Sequence, residues 1–127
     1  MPTPRKKKKI IQPVPRGRIT IQSTFNNLII SIADQKGSVL SWASAGSSGF
    51  KGGRKATPYA AQVTMRNALE KARPYTIGSV DIFVSGAGSG RDASIRALQG
   101  TGINVTSIQD VTPIPHNGVR AKKPRRV

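Results

Sequence analysis

Three stretches of this chain carry groups whose type and spacing could do chemistry, and each suits an anion. Gly86-Ala87-Gly88-Ser89-Gly90-Arg91 leaves an apolar alternation and opens a helical pattern. Free N–H groups and the helix dipole at such a junction favour a phosphate, and Arg91 adds charge at its mouth. Asp110 follows about twenty residues later, a superficial match to the dinucleotide-binding fingerprint. Arg91 stands where the third glycine belongs, however, and a second mononucleotide-binding half is missing, so a tight turn is the plain alternative. Gly-Lys-Ser and Gly-Lys-Thr do not occur, which excludes a P-loop. The second stretch, Gly46–Lys55, sets Lys51, Arg54 and Lys55 among small residues. Such backbone can approach a sugar-phosphate chain closely, the alternative being a solvated connector.

The third stretch is divided between the two ends. Arg5, Lys6, Lys7, Lys8, Lys9, Arg16 and Arg18 crowd the first eighteen residues, and Arg120, Lys122, Lys123, Arg125 and Arg126 the last twelve. All five acids (Asp34, Glu70, Asp81, Asp92 and Asp110) lie between them, against nine basic residues, a surplus of four in a chain of net charge +16. Two cationic arms on a modest body suit a polyanion, nucleic acid before membrane. A nuclear-targeting or solubilising run is the bland alternative. Each phosphate neutralised would lower the log of affinity by ~0.7–0.9 per tenfold rise in salt.

Catalysis finds little support. His116 is the lone histidine and lies in the tail without a Ser–acid constellation. The acids are dispersed, whereas a two-metal nuclease needs several to converge; Asp34, Asp81 and Asp110 are the conceivable set. Cysteine is absent, which removes thiolate metal sites and nucleophiles. No cofactor, metal or small-molecule substrate is expected. Apolar runs fall short of the ~18 residues that span a bilayer. The basic start leads into Gln12-Pro13-Val14-Pro15 rather than a signal-peptide core. An intracellular, cytoplasmic protein without a membrane partner is expected, an organellar one not being excluded.

These groups need elements to position them. Residues 1–17, with their prolines and lysine run, are expected to stay extended or disordered until bound, and folded sequence to begin at Arg18. Ile19 and Ile21, then Leu28, Ile30 and Ile32, alternate with polar positions as two strands joined near Phe25-Asn26-Asn27. Asp34-Gln35-Lys36-Gly37 is a turn into a third strand through Val39, Leu40, Trp42 and Ala43. Thr57-Pro58 starts a helix whose stripe is Ala61, Met65, Ala68, Leu69 and Ala72, ended by Pro74. Val80, Ile82 and Val84 form a fourth strand, Arg91 to Gln99 a second helix stopped at Gly100 or Gly102, and Ile103, Val105 and Ile108 a last strand. The order βββαβαβ predicts an α/β domain, a mixed five-stranded sheet with helical cover. It occupies 18–112 between an N-terminal arm (1–17) and a C-terminal tail (113–127). Trp42 and Phe83 are expected in the core; Phe25, Phe50 and Tyr59, near loops, could stack on a base. With no RNP1-like strand, shape and phosphate contacts are the expected mode.

Asp110-Val111-Thr112-Pro113-Ile114-Pro115-His116-Asn117-Gly118, with the basic tail ending Arg125-Arg126-Val127, resembles the C-terminal signature of the small-subunit ribosomal protein S-eleven family. So do Ser23-Thr24-Phe25-Asn26-Asn27, Gly49-Phe50-Lys51-Gly52 with Arg54-Lys55, Thr57-Pro58-Tyr59-Ala60-Ala61-Gln62, and Gly90-Arg91-Asp92 with Ile95-Arg96-Ala97-Leu98. The resemblance implies a ribonuclease-H-like fold without nuclease activity, placed on the platform of the small subunit. There it would bridge several rRNA helices and border the cleft where messenger pairs with the rRNA 3′ end. The platform proteins S-seven, S-eighteen and S-twenty-one would be its neighbours.

By motif, the resemblance makes Lys51, Arg54 and Lys55 an RNA-facing loop. It adds Asn26, Asn27 and Gly88 as contacts, Arg91 and Arg96 on the second helix, and His116 and Asn117 with Arg120 to Arg126 as an RNA-threaded tail. It also marks Asn117-Gly118 as prone to isoaspartate formation. Many relatives have Cys where this chain has Val119, Pro-Pro-Lys-Lys where it has Ala121-Lys122-Lys123-Pro124, and Gly-Pro-Gly where it has Gly86-Ala87-Gly88. No charge is lost by these departures. A structural rRNA-binding protein is the leading reading; a basic ribonuclease-H-like enzyme and a DNA-compacting protein are the alternatives.

Overall fold

The computed structural model describes residues 13–99 and 101–124. Its strands are β1 (Arg16–Ser23), β2 (Leu28–Ala33), β3 (Val39–Ser44), β4 (Ser79–Ser85) and β5 (Asn104–Asp110); its α-helices are α1 (Pro58–Ala72) and α2 (Gly90–Ala97). A 3₁₀ turn, Gly52–Ala56, precedes α1 and another, Arg73–Tyr75, follows it. The strands form one sheet in the order β3-β2-β1-β4-β5. The first three are an antiparallel meander, and β4 and β5 add in parallel to β1. The mixed five-stranded sheet with helices expected from the alternation is present.

Alternation decides which face closes. Ile19, Ile21, Leu28, Ile30, Ile32, Ala43, Val80, Ile82 and Val84 are buried with Ala61, Met65, Ala68 and Ala72 of α1 and Ala93 of α2. The ladder registers Ile19 with Ile32 and Ile82, and Ile21 with Ile30 and Val84, so the branched side chains form a continuous apolar layer. Alanines on α1 let the helix settle close to it, and Met65 fills the remaining space. Burying one such large side chain is worth about 1.5–3 kcal/mol. Thr57 caps α1 by accepting from the Ala60 amide at 3.2 Å, with Pro58 next. Leu69, expected on the buried stripe, is only partly buried.

The opposite face of the sheet carries no helix among the described residues, which corrects the placement of two aromatics. Trp42, expected in the core, is 54% exposed on edge strand β3, with the Lys71 ammonium 5.6 Å from its ring centroid. Phe83 is half-buried on the same open face beneath the Arg18 guanidinium at 5.5 Å. The folded chain also begins before Arg18. Val14 donates to the Tyr75 carbonyl at 2.8 Å, Ser79 donates to that of Pro15 at 3.0 Å, and β1 starts at Arg16.

At the far end of β1 the chain is tightest. Gly86 (φ +96°) and Gly88 lie against Ser23 and Thr24, where a Cβ on either glycine would overlap backbone. The Gly88 amide donates to the Ser23 carbonyl at 3.3 Å. Replacing Gly86 by Ala therefore combines strain and overlap, and is expected to cost at least ~2 kcal/mol. For a domain of this size that is a fall of roughly 8 °C or more in Tm. Gly53, with nothing within 4 Å of its would-be Cβ, is the control, and Gly53→Ala should move stability by less than ~0.5 kcal/mol. Thermal denaturation of the two variants checks the contrast; equal Tm values would refute the close-approach account.

Candidate nucleic-acid interface

Parallel addition of β4 and β5 to β1 sets the geometry of the interface. The C-terminal ends of these three strands, the start of β2 and the end of β3 all lie at one end of the sheet. The turn 24–27, the loop 45–57, the glycine loop 86–90 and the C-terminal tail therefore emerge together. The N-terminal segment enters at the other end, where Arg16 faces Ser79. Eight residues of β1 separate the two ends, about 26 Å at ~3.3 Å per residue.

The loop 45–57 is built rather than floppy. The Phe50 amide donates to the Ala45 carbonyl at 3.1 Å, and the Ser47 amide to Ser44 Oγ at 3.0 Å. Thr57 Oγ1 donates to the Arg54 carbonyl at 2.8 Å, closing the 3₁₀ turn against the start of α1. Ser89 Oγ donates to the Ala56 carbonyl at 2.6 Å and so ties this loop to the glycine loop. Lys51 and Arg54 are exposed and Lys55 is half-buried. No carboxylate of the described residues lies within 4 Å of any of the three. In the neighbouring turn Thr24 Oγ1 accepts from the Asn26 and Asn27 amides, and Asn27 Oδ1 accepts from the Leu28 amide at 2.8 Å. The Asn26 side chain is left exposed and that of Asn27 is partly used in the turn.

Two other cations proposed from sequence are paired with acids of the chain. Arg16 makes two hydrogen bonds to Asp81, each at 3.2 Å, and Ser107 Oγ adds a third at 3.0 Å. Hydrogen bonding from Arg16 leads in holding the Asp81 carboxyl below its usual range, against its burial. Arg91 donates to the Gly86 carbonyl at 2.6 Å and to Asp110 Oδ2 at 3.0 Å. It is a brace between α2, the glycine loop and β5. Gly88 is buried with its amide committed, and the Gly86 amide donates to Thr112 Oγ1 at 3.1 Å. Of the two readings of 86–91, these contacts form the tight turn.

Arg96 and Arg18 are exposed, as are His116, Asn117, Arg120, Lys122 and Lys123 along the irregular tail. Asn117 adopts φ +57°, a left-handed conformation that turns the chain at the Asn-Gly pair. Arg5, Lys6, Lys7, Lys8, Lys9, Arg125 and Arg126 lie outside the described residues. The acids do not assemble: Asp34 accepts from the Lys36 and Ser38 amides in the β2–β3 turn, at the end opposite Asp110. No three His, Cys, Asp or Glu of the described residues could hold a metal ion. Sequence reading missed the bracing role of Arg16 and Arg91 and the Ser89–Ala56 tie, because partners 65, 19 and 33 residues apart leave no local pattern.

Hydrogen bonds from the Thr112 hydroxyl and amide, then from Arg91, hold the Asp110 carboxyl at about 2. A carboxyl depressed on folding contributes stability above its unfolded value, near 3.8, and loses it as pH falls towards 2. Asp110→Asn is therefore expected to shallow the decline in stability between about pH 4 and pH 2, leaving the part due to Asp81. Urea unfolding across that window measures the difference, and identical pH profiles would refute the brace.

Residues 17–126 match the family model described as Ribosomal protein S11. The chain is 53% identical over 121 residues to the small ribosomal subunit protein uS11 of Borreliella burgdorferi (strain ZS7) and to that of Borreliella afzelii (strain PKo). Each match covers 95% of this chain and 93% of the relative. The motifs that carried the resemblance, from the Ser23–Asn27 turn to the basic tail as far as Arg126, fall inside the matched span, and the chain belongs to the ribosomal protein S11 family.

Proposed function

We propose that this chain, a ribosomal protein of the small subunit and not an enzyme, acts by tying separate rRNA helices together on the subunit's platform. The observation that carries the reading is the placement of charge. The described chain enters the sheet at one end through Arg16, after the lysine run in sequence, and the C-terminal tail leaves from the other, about 26 Å away along β1. Beside the tail stands the Lys51–Arg54–Lys55 loop with no acid in reach. A duplex carries one charge per ~1.7 Å of its axis, so two poles this far apart can engage different helices. Phosphates neutralised at both poles would be held at a fixed spacing by the sheet between them.

The finer reading follows the family resemblance. The fold is of the ribonuclease-H type, the platform site borders the messenger cleft, and the neighbours are the S-seven, S-eighteen and S-twenty-one proteins. Asn26, Arg18, Arg96, His116, Asn117 and the tail cations add contacts to the loop; Arg16 and Arg91 serve indirectly by bracing the backbone. No helix of the described residues is long and apolar enough to cross a membrane. The ribosome, in the cytoplasm, is the expected location.

The test is binding of the full chain to a small-subunit rRNA transcript across a salt series, with hydroxyl-radical footprinting. Replacing Lys51, Arg54 and Lys55 together by Ala should reduce the salt slope by about 2–3, at ~0.7–0.9 per phosphate contact. Removing residues 1–12 and removing residues 116–127 should each erase a different protected segment. A body lacking both arms that bound the transcript as tightly as the whole chain would end the bridging model.

A further inference from the structure

We infer that the pocket between the cationic loop and the start of α1 takes a single unpaired nucleotide, its base stacked on Tyr59 and its phosphate held by Lys51 and Arg54. The inference rests on the rRNA-binding reading and adds a distinct mode of contact to it. Gly49, Phe50, Lys51, Arg54, Thr57 and Tyr59 line a cavity of about 600 Å³, within the ~300–1,000 Å³ of sites that take small organic groups. Phe50 and Tyr59 meet with ring centroids 5.8 Å apart at 82°. A perpendicular pair, unlike a stacked one, leaves ring surface uncovered for a third aromatic group. Tyr59 is 66% exposed, which is unusual for a residue that a helix could have turned inward. The position gains nothing for the core.

The charges at the rim select the occupant. Lys51 and Arg54 flank the rings, and no acid of the described residues pairs with either. An apolar peptide would leave both cations idle, and a basic one would be repelled. A planar neutral ring joined to a negative phosphate matches both halves of the pocket. Duplex RNA keeps its bases stacked inside, so the occupant is a nucleotide from a loop or bulge. The pocket is also held in shape before binding. Thr57 Oγ1 bridges the Arg54 carbonyl and the Ala60 amide, and Ser89 secures Ala56 from the neighbouring loop. Ordering the protein around a base would cost little.

Stacking and phosphate contact differ in their response to salt, which separates them experimentally. The full chain and its Tyr59→Leu and Tyr59→Phe variants are titrated with a small-subunit rRNA transcript at several salt concentrations. Loss of a stacked base should weaken Tyr59→Leu about tenfold without changing the salt slope, since no phosphate contact is removed. Tyr59→Phe keeps the ring and should stay within about twofold. Ultraviolet cross-linking of the wild type should attach a nucleotide within residues 56–66, and Tyr59→Leu should lose it. If Tyr59→Leu binds as tightly as the wild type, or Tyr59→Phe loses as much as Tyr59→Leu, the stacking pocket is wrong while the rRNA-binding reading stands. If the wild type itself shows no salt-dependent binding, both readings fall.

Discussion

Where β4 ends, the backbones of Gly86 and Gly88 lie so close to Ser23 and Thr24 that no side chain fits between them, and the positions of the cationic loops follow from that contact. The joint fixes the start of α2 against Leu28 and Ala61 through Gly90. From the same loop Ser89 reaches the Ala56 carbonyl, so the turn carrying Lys51, Arg54 and Lys55 is anchored to the sheet through a single short path. The tail is anchored there too, by Val111 to the Val84 carbonyl at 2.8 Å and by Thr112 to the Gly86 amide. A side chain inserted at the joint would therefore disturb three surface loops at once, although none of its own atoms need touch RNA.

Charge distribution gives the same division between frame and contact. With only five acids against a net charge of +16, a carboxylate is scarce, and two of the five brace neighbouring elements. Asp81 ties Arg16 of β1 to Ser107 of β5 across β4, and Asp110 ties β5 to α2 through Arg91. The more exposed of the two, Asp110 with Arg91, contributes little stability by itself. The greater effect of both is to neutralise cations that would otherwise repel one another within the frame. Lys51, Arg54 and Lys55 of the loop and Arg120, Lys122 and Lys123 of the tail are among the described cations that pair with no acid, which leaves them available to a polyanion.

Much of this frame was legible from local pattern. Period-two alternation located the strands, and Thr57-Pro58 located the start of α1, because caps and alternation are short-range effects of backbone sterics. Exposure was harder to read. Ile29, Trp42 and Phe83 alternate out of phase with the core residues, and alternation alone does not say whether a second layer covers them; the open face settled that Trp42 is half in water. The glycine loop left two readings open for a related reason. Glycines serve a phosphate cradle and a close backbone approach equally well, and only the neighbouring strand, more than sixty residues earlier in the chain, distinguishes them. The partners of Arg16 and Arg91 went unread because they are set by sheet order, which no local window contains.

The distinction between frame and contact also bears on where selectivity resides. Cationic segments raise affinity for any polyanion, since phosphate contacts carry no sequence information of their own. Discrimination among sites needs groups held at fixed separations. In this molecule those are the ends of β1 and the loop 45–57, the latter stiffened by Thr57, Ser47 and Ser89. On the proposed reading, a sheet of fixed span with one pre-shaped recess at one pole would favour RNA folded so that an unpaired nucleotide and a second helix stand at matching distance. The arms would strengthen such an encounter and also many wrong ones, whereas the sheet strengthens only those whose geometry it matches. On the proposed reading, specificity would therefore come from the part of the chain with the least net charge.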